Sequence, residues 1–212
     1  MTSFSKEHFF NLSAFPFKNV FDQTEHIWDV LKYIDQYVRE QFSSGKLIPN
    51  YQERNNVYIG KGTVIEEGAS IKGPAIIGKN CFIAHGAYVR ENVILGDDVR
   101  IWHGTEIKHT IMLNGAVGTH NGYIGDSIVG NRVNIAAGAI VANLRLDRKS
   151  VHVRHDKSKI DTGLLKFGAI IGDDCQIGVN AVLNPGTVLG KNSIVFPLVS
   201  VFGVHKEGST IK

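Results

Sequence analysis

The sequence contains little cysteine, methionine, tryptophan or proline: its 212 residues include 2, 2, 2 and 5 of them. Two cysteines, Cys81 and Cys175, cannot build the framework of several disulfides that stabilises small secreted domains. Free, buried thiols in a cytoplasmic protein are therefore the favoured interpretation. The net charge is only +3, which argues against nucleic acid or an anionic membrane surface as a partner.

Neither a secretory leader nor a membrane-spanning run is expected. The N-terminal residues MTSFSKEHFF have neither the basic start nor the apolar core of a signal peptide. The longest apolar run, 194–204, is too short to cross a bilayer and contains Pro197. These absences predict a cytoplasmic protein without membrane contact. A hydrophobic content of 43% predicts one main domain with a sizeable core.

What the sequence does contain is a period of six. Neither an amphipathic helix nor a half-buried strand has this period. It is typical of a chain that turns a corner every six residues and stacks coil upon coil, a hexapeptide β-helix. Small or β-branched residues, such as Ala69 and Cys81, lie two positions before each member of the aliphatic column. That column is Ile59, Ile65, Ile71, Ile77, Ile83, Val89, Leu95, Ile101, Ile107 and Leu113.

The repeat is irregular at two places. Leu113 and Val129 are sixteen residues apart, where three hexads would require eighteen, so a register shift is predicted there. The pattern stops after Val141 and resumes at Ile171, continuing to Val201. Because regular coils need no special residues, function is expected at the irregular segments 102–108, 119–126 and 143–167.

The first fifty residues follow a different pattern. A helical period predicts a helix over 24–43, with Asp22 and Glu25 as a capping box and Gly45 as its end. Six phenylalanines precede it, and we expect them to pack this helix against the open end of the β-helix. The predicted organisation is an N-terminal helical cap at 1–50 and a β-helix at 51–212 with an inserted loop at 144–165.

Nine histidines raise the possibility of a metal site. His85 and His103 are eighteen residues apart and hence stacked, and His109 follows one hexad later. Imidazoles from adjoining chains can bind zinc, as in the γ-class carbonic anhydrases. Those proteins, however, use a close pair of histidines within one coil, whereas His103 and His109 are a full hexad apart. We therefore expect no metal.

Arg90 and Lys108 are also eighteen residues apart, so two cations are predicted to lie above one another. Like charges in this arrangement repel unless an anion lies between them, and a phosphate monoester is a suitable anion. The alternative is a pair of solvated side chains on an outer face.

Spaced polar residues extend this pattern over about 57–205. They include Glu106 to Lys108, His120, the run Tyr123 to Asp126, the run Asn131 to Gly138, Asn143, and the run Ile170 to Asp174. In this respect the sequence resembles the acetyltransferase domain of the bifunctional N-acetylglucosamine-1-phosphate uridyltransferase/glucosamine-1-phosphate acetyltransferases. The resemblance implies a left-handed parallel β-helix, a mainly β fold, and a homotrimer with its sites between the chains.

The resemblance also implies roles for individual residues. His120 would be the general base that takes a proton from the substrate amine, and its alternative is a surface turn histidine. Glu106 and Asn143 would position the amine and the tetrahedral centre. Arg90, Lys108, Tyr123 and Lys166 would hold the sugar phosphate, and Asn134 would contact the sugar. Acetyl-CoA, as co-substrate, would contact Ala137, Asn143, Val179 and Pro197.

The sequence departs from the family in its acyl-donor half. No uridyltransferase domain is expected before the β-helix. Leu144, Val179 and Pro197 replace a tyrosine, a serine and an alanine, and the C-terminal arginine that meets the coenzyme has no counterpart. These departures leave two alternatives: an enzyme acting on another amino sugar or with a longer acyl group, and a non-catalytic binder of sugar phosphates or nucleotide sugars.

The inserted loop 144–165 is rich in basic residues. The alternation over 150–154 predicts a short strand, and Gly163 predicts a turn back into the coil. Two interpretations remain open: a solvated loop without consequence, and a cover that brings Lys166 to the sugar phosphate and its basic residues to the phosphates of the coenzyme.

Overall fold

The computed structural model describes residues 4–52, 56–155 and 158–212. The architecture is the predicted left-handed parallel β-helix, mainly β and of about 8 turns. Short strands stack into three parallel sheets that form the faces of a prism, and the aliphatic column fills its interior.

The chain passes through the three sheets in turn, here called A, B and C. Sheet A contains the strands Val57–Ile59, Ala75–Ile77, Val93–Leu95, Thr110–Met112, Ile128–Val129, Ala169–Ile171, Thr187–Leu189 and Val204–His205. Sheet B contains Val64–Ile65, Phe82–Ile83, Arg100–Ile101, Val117–Gly118, Asn134–Ile135, Gln176–Ile177, Ile194–Val195 and Thr210–Ile211. Sheet C contains Ser70–Ile71, Tyr88–Val89, Glu106–Lys108, Tyr123–Gly125, Ile140–Val141, Val182–Leu183 and Ser200–Val201.

The register shift differs from the predicted one. Met112, and not Leu113, pairs with Leu95 and enters the prism, so the predicted aliphatic column is wrong at Leu113. The physical reason is that two successive corners between sheets C and A are each one residue shorter than the six-residue repeat requires. His109 and Asp126 turn these two corners in the left-handed conformation, with φ of 49° and 48°. Two shortened corners account for the sixteen-residue spacing.

The N-terminal residues form short helices, as predicted, but with different bounds. The elements are the α-helix Lys6–Phe9, the 3₁₀-helices Lys18–Phe21 and Ile27–Lys32, and the α-helix Ile34–Ser43. The single helix predicted over 24–43 is therefore wrong in its first half. The capping box lies at His26 and Asp29 rather than at Asp22 and Glu25, because the helical segment begins at Ile27.

These helices lie along the flank of the prism and not over its open end, which corrects the predicted placement. Their buried residues, such as Phe21, Trp28 and Ile34, share one apolar cluster with the outward-facing residues of sheet A. Those outward residues are Ile76, Ile94, Ile111, Ile128, Ile170 and Val188. Sheet A is thus buried on both sides, while sheets B and C keep their outer faces open. The division at residue 50 stays a prediction.

The insertion leaves the coil after Ile140–Val141 and is closed at its neck. Leu144 and Lys166 form an antiparallel bridge, and the Phe167 N–H donates to the Asn143 carbonyl at 2.9 Å. The predicted short strand is present as His152–His155, which pairs in antiparallel fashion with Ser158–Asp161.

The insertion is also packed against the rest of the protein. Val151 and Val153 are fully buried in the cluster that the N-terminal helices form with sheet A. A wholly solvated loop is therefore excluded. None of the helices within residues 4–52, 56–155 and 158–212 is long and apolar enough to cross a membrane.

Candidate active site

The stacked cations lie where sheet C meets its corner with sheet A. Val89 pairs with Ile107 inside the prism, so the next residues of the two strands, Arg90 and Lys108, are neighbours on the outside. Each cation has a carboxylate partner. Arg90 Nη1 donates to Glu106 Oε1 at 2.9 Å, and Lys108 Nζ lies 3.4 Å from Asp126 Oδ2.

The charge balance of this site differs from the expectation of an uncompensated cation pair. Besides Glu106, Arg90 has Glu91 at 3.5 Å from its Nε. Two cations thus face three carboxylates, those of Glu91, Glu106 and Asp126. Repulsion between Arg90 and Lys108 is relieved within the chain, and no bound anion is needed to explain it. The charges alternate in sign over a small area of the surface.

Asp126 is a candidate site residue that the sequence pattern does not single out. Its carboxylate is 5% exposed and accepts a hydrogen bond from Asn143 Nδ2 at 2.5 Å as well as lying near Lys108. A buried carboxylate that touches two predicted site residues fixes their orientation. The sixteen-residue spacing in the sequence indicates a shortened corner, but it does not indicate that one such corner falls at Asp126.

Tyr123 completes this arrangement. Asn143 Nδ2 also donates to the Tyr123 hydroxyl, at 3.0 Å. Gly125 makes the contact possible, because a Cβ there would lie 2.5 Å from the Tyr123 hydroxyl oxygen. Burial, followed by the charges of Asp126 and Glu106, raises the pKa of Tyr123 above its ordinary value. The hydroxyl therefore stays protonated at neutral pH and can donate to a ligand. We call this set the charged cluster: Arg90, Glu106, Lys108, Tyr123, Asp126 and Asn143.

Lys166 lies at the edge of the charged cluster. It is exposed and pairs with Leu144 in the neck of the insertion, one residue before the backbone bond between Phe167 and Asn143. The neck therefore places Lys166 next to Asn143, although they are 23 residues apart in sequence. Its predicted position beside the sugar-phosphate residues agrees with this placement.

His120 lies at a different place, the corner between sheets B and C. The imidazole is exposed and packs against Trp102, with ring centroids 5.7 Å apart. In the part of the chain that the structure describes, no hydrogen bond orients this ring. The next coils place Ala137, Val179 and Pro197 at the same corner, each two residues after paired core positions of sheet B. We call His120, Ala137, Val179 and Pro197 the corner column.

The predicted sites are thus divided between two regions of one chain. The corner column combines the predicted base with three of the four predicted coenzyme contacts. Asn143, the fourth, belongs to the charged cluster on the opposite edge of sheet C. Asn134 lies on sheet B, in a shallow cavity of about 320 Å³ that Val179 and Pro197 also line.

The histidines expected for the metal alternative do not converge. His85 and His103 stack at the corner between sheets B and C, with ring centroids 5.9 Å apart. His109 is at the corner between sheets C and A, where its Nε2 lies 2.7 Å from the Leu31 carbonyl oxygen. Over residues 4–52, 56–155 and 158–212, no three His, Cys, Asp or Glu side chains form a group that could hold a metal ion.

Comparison with protein-family models gives two matches. Residues 71–162 match the GMPPB C-terminal domain, and residues 168–195 match the hexapeptide repeat of succinyl-transferase. Together they cover most of the β-helix.

Curated relatives extend the similarity to the larger part of the chain. The chain is 47% identical over 178 residues to the bifunctional protein GlmU of Methanococcus maripaludis strain C7, covering 80% of this chain and 42% of the relative. It is 38% identical over 78 residues to the bifunctional sugar-1-phosphate nucleotidylyltransferase/acetyltransferase of Sulfurisphaera tokodaii, covering 37% of this chain and 20% of the relative. The chain thus spans less than half the length of these relatives.

A solved structure, the acetyltransferase domain of PglB from Neisseria gonorrhoeae with acetyl coenzyme A, matches at 14% identity and a TM-score of 0.42, covering 84% of this chain and 63% of that one. In its repeat and its curated relatives, the chain is similar to the class of hexapeptide-repeat acyltransferases. Within that class, the chain resembles the acetyltransferase part of the bifunctional sugar-1-phosphate nucleotidylyltransferase/acetyltransferases.

Proposed function

We propose that the protein transfers the acetyl group of acetyl-CoA to the amine of an amino sugar phosphate of the glucosamine-1-phosphate type. The observation that carries the proposal is the alternation of charge in the charged cluster. An amino sugar phosphate carries an anionic phosphate and, before reaction, a cationic ammonium. Arg90, Lys108 and the nearby Lys166 suit the phosphate, while Glu106 and Asp126 suit the ammonium.

The chemistry assigned to His120 is proton transfer. The ammonium first loses one proton to solvent, and the His120 imidazole then accepts a proton from the neutral amine as its nitrogen attacks the acetyl carbon. A C–N bond forms and the C–S bond of the thioester breaks. The departing CoA sulfur then takes the proton from His120, which restores the neutral base.

Tyr123 supplies a neutral hydrogen-bond donor beside these charges, and Asn143, whose two N–H groups donate to Asp126 and to the Tyr123 hydroxyl, holds it in place. Asp126 accepts from one N–H of Asn143, which fixes the plane of the amide, and the Tyr123 hydroxyl keeps its proton. Donors whose orientation is fixed in advance can stabilise charge that develops in the transition state without reorganising.

The corner column is the proposed coenzyme site. Its members beyond His120 are small or apolar, and the cavity on sheet B runs beside Val179 and Pro197. Apolar walls with few polar groups are typical of sites for small organic ligands. The favoured setting is the cytoplasm, where the buried thiols of Cys81 and Cys175 stay reduced.

A test of the proposed function uses glucosamine-1-phosphate and acetyl-CoA, with release of the CoA thiol as the readout. Before it, each ligand alone should raise the thermal midpoint, since binding at 100 times Kd adds about 2.7 kcal/mol to the free energy of unfolding. Arg90→Ala should weaken the response to the sugar phosphate and retain the response to CoA. Arg39→Ala, a variant on the helical flank, is the matched control.

Two outcomes would contradict the proposal. Stabilisation by the sugar phosphate without any response to CoA would favour the rival function, a non-catalytic binder of sugar phosphates. Binding of both ligands without thiol release would exclude this acceptor and point to another amino sugar.

We further propose that the working site forms between the chains of a homotrimer. Asn134 on sheet B and the charged cluster on sheet C lie on either side of a convex edge of the prism. Side chains on two such faces point apart, whereas ligand sites are concave. A second chain placed against this edge supplies the missing wall, and cyclic symmetry repeats the contact three times.

Co-expression of two inactive variants tests this shared site. Arg90→Ala and His120→Ala chains, carrying different tags, should assemble into mixed trimers of three times the chain mass by light scattering. If each site takes His120 from one chain and Arg90 from the next, about a quarter of the sites contain neither substitution. Mixed trimers without recovered activity would place both residues in one chain, and a concentration-independent monomer would exclude the trimer.

A further inference from the structure

A second cavity lies between the insertion and the last coils, and the proposed reaction does not use it. Its volume is about 640 Å³. Its walls come from the insertion on one side and from the corner between sheets C and A on the other. We call it the insertion groove, lined by Ala142, Leu144, Arg145, Leu146, Asp147, His152, Arg154, Asn184, Pro185, Gly186, Phe202 and Gly203.

The strand His152–His155, which pairs with Ser158–Asp161 and which together with it we call the hairpin, lies against two glycines of the last coils. A Cβ at Gly186 would lie 2.5 Å from the His152 carbonyl oxygen, and one at Gly203 would lie 3.4 Å from the Arg154 carbonyl oxygen. Both glycines have positive φ, 84° and 78°. With Val151 fully buried behind it, the hairpin backbone has a defined position against the last coils. The groove is therefore part of the folded structure.

The insertion groove continues the line of the charged cluster. The residues that follow paired core positions of sheet C at this corner are, coil by coil, Arg90, Lys108, Gly125, Ala142, Asn184 and Phe202. Neighbouring strands are about 4.8 Å apart, so Asn184 lies roughly 14 Å from Lys108 along the prism. The Tyr123 hydroxyl and the Asn143 amide cover Gly125, so an elongated ligand held at Lys108 reaches the groove across these two polar groups and past the small side chain of Ala142.

The insertion groove has apolar walls and a cationic rim. Phe202 is 67% exposed and shares its wall with Pro185, while Leu146 lies in the opposite wall, which the insertion forms. Arg145 is paired with Asp147. Arg154 is exposed and, among the residues that the structure describes, forms no salt bridge. An open aromatic face suits a planar base, and an unpaired guanidinium suits a phosphate.

We infer that the insertion groove binds a nucleoside diphosphate group, with its base on Phe202 and its phosphates at Arg154 and towards Lys166. The inference deepens the proposed function, on which it rests, by extending the ligand of the charged cluster. Two sources share this chemistry: a nucleotide attached to the amino sugar, and the ADP part of CoA. In the first case the groove binds part of the acceptor substrate, and in the second case it binds part of the acetyl donor.

Calorimetric titration of the full chain with UDP and with ADP tests the site. We expect saturable binding of at least one of them. Phe202→Ala should raise its Kd about tenfold, the effect expected when one base loses its stacking partner. Arg154→Ala should raise it by a similar factor. Both residues are exposed, so the variants should fold. Arg148→Ala removes the same charge from the insertion outside the groove and should leave Kd within about twofold.

The kinetics of Phe202→Ala distinguish the two sources. An increased KM for acetyl-CoA, with the KM for glucosamine-1-phosphate unchanged, assigns the groove to the donor. An unchanged KM for acetyl-CoA, with an increased KM for a UDP-linked amino sugar, assigns it to the acceptor.

Other outcomes overturn the inference. One is the absence of saturable binding of UDP and ADP at millimolar concentration. Another is the same Kd for Phe202→Ala, Arg154→Ala and Arg148→Ala. Either result leaves acetyl transfer to glucosamine-1-phosphate untouched. Conversely, if nucleotide binding depends on Phe202 but the protein has no transfer activity, the inference about the insertion groove stands and the proposed function is rejected.

Discussion

Substitution of His120 by alanine is expected to lower turnover by about 10²–10⁴-fold, the contribution typical of a general base. Because the imidazole is assigned no role in holding the sugar phosphate, the Kd for glucosamine-1-phosphate should change little. Arg90→Ala should show the opposite pattern, with weakened binding of the sugar phosphate as the main effect. Steady-state kinetics and direct titration of both variants separate turnover from affinity.

His103 is the matched control for this prediction. It lies at the same corner one coil earlier, where its Nδ1 is 2.7 Å from the His85 carbonyl oxygen. His103→Ala removes an exposed imidazole from the same corner without touching the assigned base, so turnover should stay near that of the wild type. Unchanged turnover in His120→Ala would refute the assignment. An equal loss in both variants would show that the corner needs its histidines for structure.

Substitution of Trp28 by alanine should lower the free energy of unfolding by about 3–5 kcal/mol, the usual loss for a large buried aromatic side chain. Trp28 is 1% exposed and lies between Phe4, at 5.0 Å between ring centroids, and Phe167, at 6.2 Å. It thus joins the N-terminal helices to the end of the insertion. The cavity left by its removal would loosen both from sheet A. Urea unfolding followed by circular dichroism measures the change.

Tyr33→Ala provides the comparison, because Tyr33 belongs to the same helical segment but is 38% exposed. A surface substitution of this kind usually changes stability by less than about 0.5 kcal/mol. If the two variants unfold at the same urea concentration, the N-terminal helices do not stabilise the β-helix in the way that their burial indicates.

The placement of these helices could have been predicted from the strands of sheet A. Ala75–Ile77 and Val93–Leu95 are apolar at every position, and a strand that is buried on both sides reads as a continuous apolar run. Strands of sheets B and C carry polar outward residues, such as Arg100 and Glu106. The period of six reports only the interior column and does not indicate that the helices cover sheet A rather than the open end.

The predicted site residues were only partly brought together. Arg90, Lys108, Glu106, Tyr123 and Asn143 lie in one cluster, with Lys166 beside it, because a repeat places equivalent positions one above another. The partner of Asn143, Asp126, could not be identified in this way. Its contact depends on a corner shortened by one residue, and spacing alone allowed the missing residues to be placed anywhere between Leu113 and Val129.

The hexad pattern is enough to predict the β-helix, the direction of most side chains and the order of the candidate residues along it. A six-residue period is a local property, since each hexad repeats the same inward aliphatic residue and the same corner. The tertiary structure alone decided which corners are shortened, which face the N-terminal helices cover, and where the insertion packs. These features arise from contacts between residues far apart in the chain, such as Trp28 with Phe167 and Gly186 with His152, and no local period encodes them.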